Sequence, residues 1–290
     1  MRRSSVRALP VLALSALTAC GLVGCGQQIH DPGTVGTSTL AADTELVGRG
    51  ILMQDSPDAD VELCLGAVLT SYPPQCGGPT LAGEFSWDEV ESEQQDGVRW
   101  TDISYYGVGH YDRDSGTFTL TRPLSADPPE GLAPPEQEAP SFPQLCEDPF
   151  RGGDENYGDP DLSIQNTFQE QLEQLPGYVE SWVSDGERMF NVIVTGDAEE
   201  AHATLREVWP GGLCVEQRDA PTAADVNAAS EALGKHRDEL QLQGWGGQGA
   251  LDVSVLIADE ATVTRIHEVV QPWLTPEQVR ITGDLQPLTP

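Results

Sequence analysis

Cations are scarce in this chain: 290 residues contain a single Lys, Lys235, and 14 Arg against 47 Asp plus Glu, a formal charge of −32. A surface this acidic repels phosphate backbones and anionic headgroups, which argues against a nucleic-acid partner. Aromatic residues are also few, at 6%. No uninterrupted apolar run reaches the ~20 residues that a membrane-spanning helix needs. The five His, His30, His110, His202, His236 and His267, never fall at the short spacing that places two imidazoles on one metal. Also missing are a Gly-x-Ser-x-Gly elbow, a phosphate-cradling loop and a dinucleotide fingerprint, since Gly244-Trp245-Gly246-Gly247 precedes a strand pattern instead of a helix. Charge this high could leave a chain disordered, but apolar residues cluster periodically between Pro-rich breaks and can build a core.

The N-terminus has the layout of an export signal. Arg2, Arg3 and Arg7 lead into an apolar run over residues 8–17, followed by small residues around a Cys. Two stretches fit a lipoprotein signal, Leu17-Thr18-Ala19-Cys20 and Leu22-Val23-Gly24-Cys25, in which the Cys would be diacylated and become the mature N-terminus. Parity favours Cys25. Cleavage there removes a signal peptide of residues 1–24 and leaves Cys64, Cys76, Cys146 and Cys214 as an even set for an oxidising compartment; cleavage before Cys20 leaves Cys25 as an unpaired thiol. The mature chain then has 47 acids against 12 bases, a charge of −35. Residues 25–46 lack hydrophobic periodicity and are rich in Gly, Ser and Thr, as in a flexible tether. The membrane is thus expected as a partner through the lipid anchor only, on the extracytoplasmic face.

Residues 47–122 read as a small β domain. Apolar or β-branched runs at 47–53, 61–68, 81–87, 98–111 and 117–121 are separated by turn residues, a pattern that fits a small antiparallel barrel or sandwich. Asp112-Arg113-Asp114-Ser115-Gly116 suits a hairpin turn and misses the spacing of an EF-hand loop. Cys64 within a strand and Cys76 after a Pro-Pro turn are placed to staple a loop too rich in Pro and Gly to pack itself. Through "ELCLGAV" (62–68), "SYPPQCGGP" (71–79) and "TFTLT" (117–121), the segment resembles the N-terminal domain of an actinobacterial family of secreted proteins and lipoproteins. The resemblance implies an OB-like barrel and an exported location, and brings no activity with it. With 13 acids against four bases, this barrel is a poor match for an oligonucleotide ligand. Trp87, Trp100, Tyr105, Tyr106 and Tyr111 are candidates for either a ligand face or the core.

Seven Pro make residues 123–143 an extended linker. An acidic loop follows, with Asp154, Glu155, Asp159 and Asp161 near glycines at no calcium-ligand spacing. From residue 163 a pattern recurs with a period of about 60 residues. Phe168, Leu172 and Leu175 fall at helical spacing after a Ser163 N-cap, and Val226, Ala229, Leu233 and Leu240 do so after Thr222. Hairpins at 178–183/189–194 and 240–245/251–257 follow, then helices opening at Asp197 and Asp259, then strands at 213–216 and 278–282. The expected fold class is therefore mixed: a small all-β, OB-like barrel followed by a duplicated α+β domain (144–290) with the order α-β-β-α-β twice. Each unit should place both helices on one sheet face, with the strands forming one broad sheet or two three-stranded ones.

Four thiols allow three connectivities, and the linker chooses among them. Cys64 and Cys76 precede it, Cys146 and Cys214 follow it, and crossed pairing would force two separately packed segments into fixed contact. Cys64–Cys76 and Cys146–Cys214 are expected. His202 and His267, beside Glu199 and Glu268, could in principle share a site, but solvated helix positions are the expected state. The sequence points to no catalytic, cofactor or metal residue, only to a lipidated Cys25 and the four disulfide Cys. The function it suggests is a membrane-anchored extracytoplasmic lipoprotein, a non-enzymatic binding or accessory module of the cell envelope with a protein or small-molecule ligand. The alternatives are a secreted enzyme with scattered acidic catalytic residues, or a structural or chaperone-like partner of another exported protein.

Overall fold

A computed structural model describes residues 44–66, 69, 71–130, 132, 141–158, 162–184, 186 and 188–288. The expected signal peptide with Cys20, the expected lipidation site Cys25, His30, residues 133–140 of the expected linker, Asp159 and Asp161 lie outside the described residues.

The first strand, β1 (Leu46–Gln54), exposes only Arg49, because structure covers it on both faces and both edges. After it come β2 (Glu62–Cys64), β3 (Thr80–Ala82), β4 (Glu93–Gln95), β5 (Val98–Trp100), β6 (Tyr105–Asp112) and β7 (Thr117–Leu120). Five of them close a barrel in the order β1-β2-β3-β7-β6-β1, with β3 and β7 parallel and the other pairs antiparallel. Closure works because β1 changes partners along its length. Residues 46–50 pair with β6 and residues 51–53 with β2, while Met53 and Gln54 also carry β5, which holds β4. At Gly50 a Cβ would collide with the Cys64 carbonyl, so the crossover between β1 and β2 requires glycine.

Local chemistry explains where the strands depart from the expected runs. The run at 98–111 divides at Thr101, which is fully buried; its hydroxyl accepts the Leu52 N–H (3.0 Å) and donates to the Ile103 carbonyl (2.9 Å). A side chain thus replaces a ladder partner and turns the chain. The run at 81–87 shortens to β3, and Trp87–Glu89 forms a single 3-10 turn with Ser86 accepting the Asp88 N–H. The run at 61–68 shortens to β2. β4 is Glu-Gln-Gln and offers no hydrophobic alternation to read. The hairpin turn forms as expected: the Asp112 carboxylate accepts from the Ser115 hydroxyl and the Asp114 N–H, each at 2.9 Å. Those bonds, the hydroxyl first, hold the Asp112 carboxyl below the usual Asp range.

Beyond the linker the chain is mixed α/β. α1 (Leu162–Gln174), β8 (Tyr178–Val183), β9 (Met189–Val194), α2 (Ala198–Arg206) and β10 (Gly212–Gln217) give a three-stranded sheet in the order β10-β9-β8. α3 (Ala223–Gly234), α4 (Arg237–Leu240), β11 (Leu242–Gly246), β12 (Leu251–Val255), α5 (Glu260–Val270) and β13 (Val279–Gly283) give another, ordered β11-β12-β13. The sheets are separate, and in each a central strand pairs antiparallel with its hairpin mate and parallel with the strand after the helix. Phe168, Leu172, Leu205 and Trp209 pack on Val192, Val194 and Leu213; Val226, Leu233, Ile266 and Val270 pack on Leu251, Val253 and Val255.

The caps at Asp197, Thr222 and Asp259 accept backbone N–H groups of their helices, and Thr222 forms a reciprocal box with Asp225. Two helix expectations need correction. Ser163 is not an N-cap but lies inside α1, its carbonyl accepting from the Thr167 hydroxyl (2.9 Å). Leu240 is not on the helix of Val226 and Leu233, because that helix ends at Gly234 and the non-helical His236 separates it from α4.

Both disulfides pair as expected, Cys64 with Cys76 and Cys146 with Cys214, with Cα atoms 5.8 and 5.4 Å apart. The second fastens the end of the linker to the sheet: Trp182 Nε1 donates to the Pro143 carbonyl (2.7 Å) and Leu145 N–H to buried Asn191 Oδ1 (2.8 Å). Closing a loop of 68 residues contributes about 4 kcal/mol in the chain-entropy account.

The chain's last strand returns to its first. β14 (Gln286–Pro287) pairs with β1 at Leu46↔Pro287 and Val47↔Gln286, and Leu288 N–H donates to the Glu45 carbonyl at 2.9 Å. Buried Leu256, Ile257 and Leu285 belong to the same apolar cluster as Leu46, Leu52, Leu63 and Phe118. The barrel's core is thus completed by residues from the far end of the sequence.

Truncating Leu285, which is 1% exposed, should therefore destabilise the barrel and the adjoining sheet together. Leu285→Ala is expected to lower stability by about 2–5 kcal/mol, with Trp fluorescence and far-ultraviolet circular dichroism reporting one coincident guanidinium transition. A loss below about 1 kcal/mol, or two separated transitions, would contradict this packing.

Candidate functional site

Most residues singled out by sequence turn out to be structural. Trp100, Tyr105 and Tyr106 are buried in or beside the barrel, and Trp87 donates Nε1–H to Gln54 Oε1 (3.1 Å) beneath the Arg99 guanidinium, 4.7 Å from its ring. His202 and His267 sit on α2 and α5, helices of different sheets. Burial, then the Arg151 and Arg206 charges, depress the His202 pKa. Asp154 accepts the Asn156 N–H in a local turn. Among the described residues no group of three or more His, Cys, Asp or Glu is placed to hold a metal ion, and no helix is long and apolar enough to cross a membrane.

Tyr111 is the exception among the aromatics. It lies on β6 where the barrel meets the α4–β11 corner, and its hydroxyl accepts a 2.7 Å hydrogen bond from Gln241 Nε2. Arg113, in the following turn, forms a 2.7 Å ion pair with Asp259, the N-cap of α5. On one side of Tyr111 a cleft of about 390 Å³ opens between Gly77, Gly78, Arg237, Gln241 and Leu256. On the other a cleft of about 510 Å³ is bounded by Leu46, His110, Arg113, Ile257 and Asp259. Concave seams between packed units are where ligand sites commonly form.

The first cleft is built from three constrained pieces. One wall is the disulfide loop: Cys64–Cys76 closes it, and a Cβ at Gly78 would collide with the Leu63 carbonyl, so the backbone lies flush against β2. The second is Tyr111, anchored in the β6–β7 hairpin. The third is Gln241, which terminates α4 in the left-handed conformation (φ 50°, ψ 46°) where glycine is the usual residue. A side chain in that region costs of order 1–3 kcal/mol. The surrounding bonds over-determine it: Gln241 N–H reaches the Asp238 carbonyl (3.3 Å), and its own carbonyl accepts from Leu256 N–H (3.0 Å) and Gln243 Nε2 (3.2 Å). Glycine would relieve the strain but could not reach Tyr111.

The charged groups at this cleft are uncommitted. Arg113, Arg122, Arg151, Arg218, Arg265 and Arg280 all pair with carboxylates. The Arg237 and Asp238 side chains, both exposed, have no hydrogen-bonded or ion-paired partner among the described residues. Arg49, Arg99 and Arg206 also lack a carboxylate partner among the described residues, but each has another contact: the Tyr106 ring, the Ser92 hydroxyl and backbone carbonyls respectively. Buried apolar Leu242 and Leu256 supply the floor. The arrangement offers donors and acceptors of both kinds beside a small apolar surface, and so can bind a polar ligand. Comparison with known proteins returns no matching family model and no matching curated relative.

Asp284 leads the chain from this α/β segment into β14. Ser254 donates to its Oδ1 (2.6 Å), while Oδ2 is buried without a hydrogen-bond partner. Burial raises its pKa, with the Ser254 bond opposing. A raised native pKa means that the native state holds its proton more tightly than the unfolded chain. Stability from this group is therefore complete below the unfolded Asp value of about 3.9 and is lost as pH rises through the native value. Asp284→Asn should raise Tm at pH 7 and give no gain near pH 3 by scanning calorimetry; equal gains at both pH values would refute the assignment.

Proposed function

We propose that this chain is an extracytoplasmic lipoprotein, anchored through a diacylated Cys25, that serves as a binding or accessory module of the cell envelope with the seam cleft as its binding site. The observation that carries the reading is the pair of disulfides, Cys64–Cys76 and Cys146–Cys214. Bridges of this kind persist in oxidising, exported locations, which agrees with the Arg-led apolar N-terminus and the Gly-, Ser- and Thr-rich stretch after Cys25. No catalytic role is assigned to any residue.

The barrel is read as OB-like. Its strand order and single parallel pair support this, as does the resemblance carried by residues 62–68, 71–79 and 117–121 to actinobacterial secreted proteins and lipoproteins. The α/β segment is read as a duplication. Its support is register: in both sheets the central strand's helix-facing residues, Phe190, Val192 and Val194 against Leu251, Val253 and Val255, alternate with polar Asn191 and Asp252 on the opposite face.

The anchor has a direct test. Mass spectrometry of the mature protein from the membrane fraction should find an acylated N-terminal Cys25. An unmodified mature N-terminus, or acylation of Cys20, would overturn the assignment.

A further inference from the structure

We infer that the cleft beside Tyr111 recognises a small, uncharged, hydroxyl-rich ligand of the saccharide class. The inference rests on the binding-module reading and adds the chemistry of what is bound. Its basis is the set of hydrogen-bonding groups left free around the cleft. The Tyr111 oxygen already accepts from Gln241 Nε2, so its proton remains to be donated. Gln241 Oε1 and Gln243 Oε1 carry no hydrogen bond among the described residues, because each amide has committed its Nε2 elsewhere. Arg237 adds a fork of donors and Asp238 a fork of acceptors.

Donors and acceptors are thus balanced, and so are the charges, one of each sign. A vicinal diol both donates and accepts through each oxygen, and adjacent hydroxyls match the planar forks of Arg, Asp and amide groups. The apolar floor of Leu242 and Leu256 can meet the C–H face of a sugar ring. Other ligand classes fit less well. A net anion must enter the field of a chain of charge −32. Metal cations find no cluster of three acidic or imidazole ligands among the described residues. An apolar ligand would bury the free Arg237 and Asp238 groups without partners.

Gln241 supplies an independent reason to place recognition here. Its left-handed backbone keeps a strained side chain where glycine would relax the turn, and that side chain fixes the amide against Tyr111 at the cleft. Strain of this kind gathers where a side chain must be held in place before a ligand arrives.

The test is a titration of the isotopically labelled mature chain, followed by the side-chain amide resonances of Gln241 and Gln243. Probes are the neutral sugars glucose, galactose, mannose, N-acetylglucosamine and maltotriose, with acetate and glycylglycine as charged controls. At least one sugar should shift both amides saturably, and Arg237→Ala and Asp238→Ala should each weaken that binding about tenfold without changing Tm, since both side chains are exposed and have no partner among the described residues. If acetate or glycylglycine shifts the amides and no sugar does, the ligand class is wrong while the binding cleft stands. If no probe shifts them, or the shifts survive both substitutions, the cleft as a binding site fails as well.

Discussion

The nine residues of β1 must hydrogen-bond on two edges to four different strands, and the rest of the structure depends on their doing so. At Leu46 the partners are β6 and β14, and at Met53 they are β2 and β5. No other strand can replace it, because the five-stranded ring closes through β1 and the β4–β5 extension hangs from it. The requirement explains its composition. Leu46, Val47, Leu52 and Met53 are buried on one face or the other, Gly50 admits the Cys64 backbone, and Arg49 is the sole exposed position. A strand used this fully has no free edge on which to misassociate.

From that constraint follows the position of the seam. β14 docks on β1 only if the chain leaving β13 turns at Asp284 and delivers Leu285 to the barrel core. This docking sets the α4–β11 corner against the β6–β7 hairpin, where Gln241 meets Tyr111 and Asp259 meets Arg113. An exposed ion pair such as Arg113–Asp259 contributes little by itself, about 0–1 kcal/mol. Burial of Leu256, Ile257 and Leu285 carries the attachment, and the polar contacts set its register. Tyr111 lines both clefts at this junction.

Local signals were legible in the sequence. Thr222, Asp197 and Asp259 announced their helices, Asp112 to Gly116 announced a turn, and residues 178–183 and 189–194 read as strands at the limits observed. What escaped was non-local or polar. β14 is a two-residue strand containing Pro, and β4 has no apolar residue, so neither carries a period. Leu256 and Ile257 read as the end of a hairpin strand, and Leu285 falls beyond the strand expected at 278–282, because nothing nearby shows that they serve a barrel formed some two hundred residues earlier. Tyr111 stood among the aromatic candidates. Its partner Gln241, 130 residues away, was hidden because a glutamine after a four-residue helix has no sequence signature. Ser163 and Leu240 misled for the converse reason, since each fits a helical pattern that the backbone ends or begins elsewhere.

Barrel and α/β segment form one folding body joined through β1 and β14. Native-state hydrogen exchange measures this most directly, because amides opened by the same cooperative event share one opening free energy. The amides of Val47 in β1 and Leu288 beyond β14 should exchange with the same free energy and denaturant dependence as Val253 in the centre of the second sheet. Barrel amides that exchange through a separate, lower-energy opening while Val253 stays protected would contradict the account.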